Sequence, residues 1–156
     1  ALANGVPIGA CIAGGPAAGV LGPGSHGTTF GGNPLASRAA LAVLDVIEAD
    51  HLAARAEALG RRILEGFREA LADHPGIHDI RGRGLMIGIE LTGPCAHLVR
   101  EALDAGILIN VTAGSVVRLL PPLILTDDEA DRLVNTLTPL IANAARQLAG
   151  STADRA

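Results

Sequence analysis

The amino-acid sequence predicts an α/β fold, and three patterns in the chain support that prediction. Apolar residues recur at spacings of three and four through most of residues 33–74, which is the period of amphipathic helices. Apolar residues alternate with other residues over 85–91, which is the period of a strand with one buried face. Beyond Gly76, short strand patterns and helix patterns follow one another, so we expect strands and helices to share one core there.

The composition excludes several classes of partner. The net charge is −4, and the 12 basic residues are all arginines that form no run or stripe, so we expect no nucleic acid and no anionic membrane as partner. Glycines and prolines interrupt the uncharged residues 1–37 too often for a membrane span. Cys11 and Cys95 lack CxxC spacing, which favours reduced thiols in a cytoplasmic protein and no metal site.

The first 50 residues predict a strand, a loop and a helix. Val6–Ala13 is an apolar run bounded by glycines, as in a strand that is buried on both faces. Residues 14–32 form a long loop, and loops of that length are usually functional. Asn33 and Pro34 favour a helix start, because asparagine caps free amides and proline at the first helical position loses no hydrogen bond.

Two apolar stripes predict a long helix or a bent pair that ends near residues 74–76. Asp50 can cap a second start between the two stripes. The predicted buried residues are Ala36, Ala40, Val43, Leu44 and Ile47 in the first stripe, and Leu52, Ala56, Leu59, Ile63, Phe67 and Ala70 in the second.

The remaining residues predict four strands and two helices. The expected strands are Ile77–Arg81, Leu85–Leu91, Ile107–Val111 and Val116–Leu120. A helix over Ala96–Ala105 should bury Val99 and Leu103 and end at Gly106.

The last helix begins at a capping box formed by Thr126 and Glu129. Pro139 should kink this helix, and residues 150–156 read as a disordered tail. The whole pattern divides the chain into residues 1–74, 75–149 and that tail.

Two sets of residues favour the binding of an anion. Ser25–Pro34 concentrates hydroxyls and glycines directly before a helix start, where free amides and the helix dipole attract phosphate or carboxylate; a tight turn is the alternative. Arg118 has apolar neighbours on both sides, and a guanidinium buried there requires a carboxylate. The alternatives for Arg118 are an internal salt bridge or exposure at a strand edge.

His26–Leu35, read as HGTTFGGNPL, is similar to the hallmark segment of the class III aminotransferases that depend on pyridoxal 5'-phosphate, within them the acetylornithine aminotransferase family. Three further segments resemble the same family. Gly5–Ala10 resembles the stretch after the family's Schiff-base lysine, and Arg81–Leu91 resembles the first hairpin of the small domain. Leu108–Val111 together with Val117–Pro122 resembles the two strands that bring an arginine to the active site.

The resemblance implies a fold and a role for three residues. The chain would be the C-terminal part of a fold-type I pyridoxal-phosphate-dependent transferase: 1–74 would end the large domain and supply the linking helix, and 75–149 would form the small α/β domain. Thr29 would bind the cofactor phosphate of the other subunit in a homodimer, Thr28 would contact that site's acylated substrate, and Arg118 would bind the substrate α-carboxylate. The Schiff-base lysine is expected immediately before Ala1.

The resemblance also implies a reaction. The intact enzyme would move an amino group from N2-acetyl-L-ornithine to 2-oxoglutarate in arginine biosynthesis. The chain has no lysine, so by itself it should be inactive, because a Schiff base requires a side-chain amine. Two alternatives remain: a class III relative that uses succinylornithine, ornithine or 4-aminobutyrate, and a non-catalytic interaction domain.

Overall fold

The computed structural model describes residues 2–71 and 73–153. The elements, in chain order, are a 3-10 helix at Gly15–Gly19, α1 at Pro34–Ala49, α2 at Leu52–Leu71, β1 at Ile77–Arg83, β2 at Met86–Leu91, α3 at Leu98–Asp104, β3 at Asn110–Thr112, β4 at Val116–Leu119 and α4 at Asp127–Ala153. The chain divides into two compact units, one up to Leu52 and one from Ala53 onward. The α/β class is confirmed.

The first unit consists of irregular backbone followed by α1. The predicted strand over Val6–Ala13 is not formed: no described strand pairs with these residues, and Ile12 is 96% exposed. A strand exists through hydrogen bonds to its neighbours, so an apolar run without a partner remains irregular.

The start of α1 is formed as the sequence predicts. The Asn33 side-chain oxygen accepts a hydrogen bond from the Ala36 amide at 3.0 Å, and Pro34 occupies the first turn. Of the predicted apolar stripe, Ala36 and Ala40 are buried, whereas Leu44 is 47% exposed.

Two helices, rather than one, fill residues 34–71. His51 adopts a positive φ of 50° between them, which interrupts the helical backbone. The boundary between the two compact units lies after Leu52, the first residue of α2. The physical reason is that Leu59, Ile63 and Phe67 of α2 belong to the core of the second unit.

The second unit is built on an antiparallel sheet in the order β1-β2-β4-β3. Ile80, Ile89 and Val117 lie opposite one another on adjacent strands and point to the same face. That face packs against the helices in one core. The largest fully buried side chains of this core are Leu59, Ile63, Phe67, Leu71, Ile87, Ile89, Cys95, Leu98, Val117, Leu137 and Ile141.

Two glycines allow close contacts within this unit. A Cβ atom on Gly60 of α2 would overlap the carbonyl group of Gly84 in the β1–β2 turn. Gly84 itself has a φ of +52°, which glycine adopts at little cost. Gly76 likewise leaves no space for a Cβ atom against the Ala145 carbonyl group.

The predicted burial of α3 is wrong by one position. Val99 and Leu103 are 39% and 48% exposed, while Leu98 and Ala102 are almost fully buried. Residues 98 and 102 are four apart, so they share one helix face, and Cys95 joins them in the core.

The capping box at the start of α4 is confirmed. The Glu129 amide donates to the Thr126 hydroxyl oxygen at 3.2 Å, and the Thr126 amide donates to a Glu129 carboxylate oxygen at 2.9 Å. The helix continues through Pro139 and Gly150 to Ala153, so residues 150–153 are helical rather than disordered. Residues 154–156 of the predicted tail lie outside the described residues.

None of the described helices combines the length and the apolar character that crossing a membrane requires.

Candidate functional site

Thr28 and Thr29 lie in the irregular segment that leads into α1. Both threonines are exposed, and their hydroxyls have no hydrogen-bond partner among the described residues. The amides of residues 26–32 also donate no hydrogen bond within the described parts of the chain. Unpaired amides and hydroxyls are the donors that a phosphate group accepts from, so these residues fit an anion.

The first turn of α1 has fewer free amides for binding an anion than the sequence suggests. Pro34 has no amide proton, the Ala36 amide donates to the Asn33 side chain, and the Ser37 amide donates to the Asn33 carbonyl oxygen. Only the Leu35 amide of this turn is left without an acceptor among the described residues. An anion would therefore be held mainly by the threonine hydroxyls and loop amides.

Gly31 sets the position of Thr28. A Cβ atom on Gly31 would overlap the Thr28 methyl group. Thr28 thus folds against the backbone of Gly31, and the three atoms nearest to that position all belong to Thr28. The two neighbouring threonines are therefore not equivalent.

Arg118 lies on β4 in the second unit, and its predicted burial is wrong. Val117 and Leu119 are 0% and 3% exposed and point into the core, while Arg118 between them points to the opposite face and is exposed. β4 has a neighbour on each side, so Arg118 is not at a sheet edge. No carboxylate in the described residues forms an ion pair with it.

The face of the sheet that carries Arg118 is here called the outer sheet face. It is formed by the residues that alternate with the core residues: Asp79, Arg81, Arg83, Met86, Gly88, Glu90, Asn110, Thr112, Val116 and Arg118. One cross-strand row on this face runs from Arg81 on β1 through Gly88 on β2 and Arg118 on β4 to Asn110 on β3.

A groove of about 420 Å³ lies on the outer sheet face. The side chains and glycines that line it include Arg81, Arg83, Met86, Gly88, Thr112, Val116 and Arg118. Gly88 keeps the groove open in the middle of the row, where a Cβ atom would lie 3.4 Å from Val116 Cγ1. An exposed guanidinium beside an apolar floor is suited to a small carboxylate with an aliphatic chain.

Arg81 differs from Arg118 because it is already paired. Its Nη1 atom lies 2.8 Å from Asp79 Oδ2 and 2.6 Å from Glu90 Oε2. These hydrogen bonds raise the pKa of Arg81, and the hydrogen bond from Arg81 lowers the pKa of Asp79. The outer sheet face therefore carries one guanidinium shared between two carboxylates, at Arg81, and two that form no ion pair with the described residues, at Arg83 and Arg118.

The Cys95 thiol is poorly suited to nucleophilic chemistry. Cys95 is buried, and burial raises the pKa of its thiol, which disfavours the reactive thiolate. Within residues 2–71 and 73–153 no group of three or more His, Cys, Asp or Glu residues is placed to hold a metal ion.

Sequence reasoning missed Gly88 as a part of the groove and Glu90 as the ion-pair partner of Arg81. The alternation over 85–91 already placed both on the non-core side of their strand. Which residues of β1 and β4 they adjoin depends on the strand order and register, which the alternation does not contain.

The comparisons with known proteins point to one family. The family model described as aminotransferase class-III matches residues 1–141. Acetylornithine aminotransferase 1 of Bordetella bronchiseptica is 59% identical over 140 residues, which is 90% of this chain and 36% of that protein. The acetylornithine aminotransferase of Mycobacterium tuberculosis is 51% identical over 144 residues, again 36% of its length.

Solved structures agree in fold. The ornithine aminotransferase of Toxoplasma gondii matches with a TM-score of 0.75 and 37% identity over 84% of this chain and 32% of its own. The acetylornithine aminotransferase of Elizabethkingia anophelis matches with a TM-score of 0.69 and 33% identity over 79% of this chain and 33% of its own. The chain thus spans about a third of the length of these relatives, and over that length it belongs to the class-III aminotransferase family.

Proposed function

We propose that this chain is the part of an acetylornithine aminotransferase that holds the substrate carboxylate and contributes to cofactor binding. The intact enzyme would transfer the amino group of N2-acetyl-L-ornithine to 2-oxoglutarate. The observation that carries the proposal is the pairing of high identity to acetylornithine aminotransferases, 59% over 140 residues, with a free guanidinium in a groove on the outer sheet face.

Pyridoxal 5'-phosphate would supply the electron sink for this transfer. The Thr29 hydroxyl, with the unpaired amides around it, would donate hydrogen bonds to the cofactor phosphate. The residues up to 37 carry no charged side chain, so this segment would bind phosphate through hydrogen bonds alone. Thr28, held against Gly31, would contact the acyl group of the substrate.

Arg118 would bind the α-carboxylate of both substrates in turn. A guanidinium forms two parallel hydrogen bonds to a carboxylate, which fixes the orientation of the substrate as well as its affinity. Because Arg118 has no carboxylate partner among the described residues, a substrate would not first have to break an internal ion pair.

The remaining parts of the proposal follow from the resemblance and the family. We propose a homodimer in which Thr28 and Thr29 serve the site of the other subunit, a cytoplasmic location, and a role in arginine biosynthesis. The chain without a lysine would form no covalent bond to the cofactor.

The experiment is a donor comparison with the full-length gene product that contains residues 1–156. Initial rates are measured with 2-oxoglutarate as acceptor and N2-acetylornithine, N2-succinylornithine, ornithine or 4-aminobutyrate as donor. We expect the highest kcat/KM with N2-acetylornithine. Absence of transfer from every donor would refute the proposal and favour an interaction domain.

Ornithine is the second candidate donor, because an ornithine aminotransferase shares this fold with a TM-score of 0.75. Its identity of 37% is lower than the 59% found for an acetylornithine aminotransferase. A kcat/KM for ornithine above that for N2-acetylornithine would replace the first candidate with the second.

A further inference from the structure

We propose that Arg81 is a positioning residue that holds the Glu90 carboxylate away from Arg118 and so keeps Arg118 free for substrate. The inference rests on the proposed function, because it assigns a regulator of carboxylate affinity to the same groove. The residues involved are Arg81, Glu90 and Arg118 on the outer sheet face. Gly88 lies between the two arginines.

Glu90 lies within reach of both arginines. Arg81 and Arg118 lie directly opposite Gly88, one on each neighbouring strand, and Glu90 follows Gly88 by two residues on β2. Glu90 is therefore the diagonal neighbour of each arginine on the same face. Diagonal neighbours in an antiparallel sheet are about 7–8 Å apart, a distance that long side chains can bridge.

In the structure, Glu90 forms an ion pair with Arg81 and none with Arg118. Glu90 Oε2 lies 2.6 Å from Arg81 Nη1, and Asp79 Oδ2 lies 2.8 Å from the same nitrogen. Gly88 carries no side chain that could separate Glu90 from Arg118. On this proposal, the ion pair with Arg81 is what holds Glu90 away from Arg118.

Loss of Arg81 would leave the Glu90 carboxylate without its present cation partner. Asp79 is on β1, two strands from Arg118, so it is the more distant carboxylate. Glu90 would then have Arg118 as its nearest unpaired cation and would compete with the substrate for it. An internal carboxylate that occupies a binding cation raises the apparent dissociation constant of the ligand.

The test uses the full-length gene product with the variants Arg81→Gln, Glu90→Gln and the double variant. The KM for 2-oxoglutarate should rise about fivefold in Arg81→Gln, as expected for an exposed ion pair, with kcat little changed. It should return to within about twofold of the starting protein in the double variant, and Glu90→Gln alone should change it by less than about twofold.

Arg83→Gln is the matched control. Arg83 lies opposite Met86 on the same face and forms no ion pair with the described residues, so its loss removes one positive charge without releasing Glu90. A purely electrostatic effect of net charge would raise the KM equally in both single variants. That result would overturn the inference, as would a double variant that keeps the high KM of Arg81→Gln.

A second readout does not depend on catalysis. In the ¹⁵N-labelled 156-residue chain, Arg81→Gln should shift the Arg118 Nε–Hε resonance, and adding Glu90→Gln should restore it. An unshifted resonance would contradict the inference even in an active enzyme. Absence of any amino transfer by the starting protein would instead count against the proposed function, which keeps the two failures distinct.

Discussion

Single side chains in this molecule differ in function because their immediate partners differ. Arg81 and Arg118 occupy the same cross-strand row, yet one shares two carboxylates and the other has none among the described residues. Thr28 and Thr29 are adjacent, and the atoms nearest to a Cβ position on Gly31 all belong to Thr28. Such differences predict separate effects for substitutions that the sequence alone would treat as alike.

The two threonines can be separated by substitution in the full-length gene product. We expect Thr29→Ala to weaken cofactor binding about tenfold to a hundredfold, because a hydrogen bond to a charged group contributes about 1.5–3 kcal/mol. Thr29→Ser should retain the hydroxyl and the affinity. Cofactor release on dilution, followed by absorbance, measures the change.

Thr28→Ala serves as the comparison. It should leave cofactor affinity unchanged and raise the KM for the acylated donor. Equal loss of cofactor from both alanine variants would contradict the separate roles.

Among the elements, α2 contains two glycines that pack against different kinds of neighbour. A methyl group on Gly60 would overlap the rigid backbone of Gly84, so Gly60→Ala should lower the free energy of unfolding by about 1–3 kcal/mol. On Gly66 of the same helix a Cβ atom would lie 3.1 Å from Val134 Cγ1, a side-chain atom that can move. Gly66→Ala should therefore change stability by less than about 1 kcal/mol.

Urea unfolding of the two variants measures this difference. Gly60→Ala as stable as Gly66→Ala would mean that α2 does not approach the β1–β2 turn as closely as described.

The capping box of α4 predicts a pH dependence. Hydrogen bonds from the backbone and side chain of Thr126 lower the pKa of Glu129 from its ordinary 4.5. A lowered pKa in the folded state means that the stabilisation is fully present above pH 4.5 and is lost as the pH falls through the lower, folded-state value.

Thermal unfolding at a series of pH values tests this sign. The melting temperature of Glu129→Gln should lie below that of the starting protein at neutral pH, and the gap should close below about pH 4.5. Glu57→Gln is the control, because Glu57 is exposed and has no described ion pair. A gap that persists unchanged in acid would contradict the capping role of the carboxylate.

The elements were predictable from sequence where their signals are local. The Asn33 and Thr126 caps and the alternation over 85–91 depend on residues within one turn or one strand, and all three are confirmed. The strand over Val6–Ala13 and the burial of Arg118 were wrong, because both depend on what lies beside the segment in space. The hydrophobic period predicts on which face of its element each residue lies. Strand order and register decide which residues share the groove.

The molecule as a whole places its hydrophobic core in the second unit. Every member of the buried core cluster lies at or beyond Ala56, whereas in the first unit the described buried apolar residues outside this cluster are small: Ala3, Ala36 and Ala40, with Leu52 at its end. Residues 52–156 alone should therefore unfold cooperatively, with a free energy within about 1 kcal/mol of that of the 156-residue chain.

Denaturant unfolding of both chains, followed by circular dichroism, tests this expectation. A shortened chain that unfolds gradually, without a sigmoidal transition, would show that the second unit requires residues before 52 for its stability.

The carboxylate-binding role of Arg118 is tested most directly by the KM for 2-oxoglutarate of Arg118→Gln in the full-length gene product. We predict a rise of about 10-fold to 100-fold, because two charge-assisted hydrogen bonds are lost, with an intermediate value for Arg118→Lys and an unchanged melting temperature. A KM within twofold of the starting protein, in an enzyme that still transfers amino groups, would contradict it.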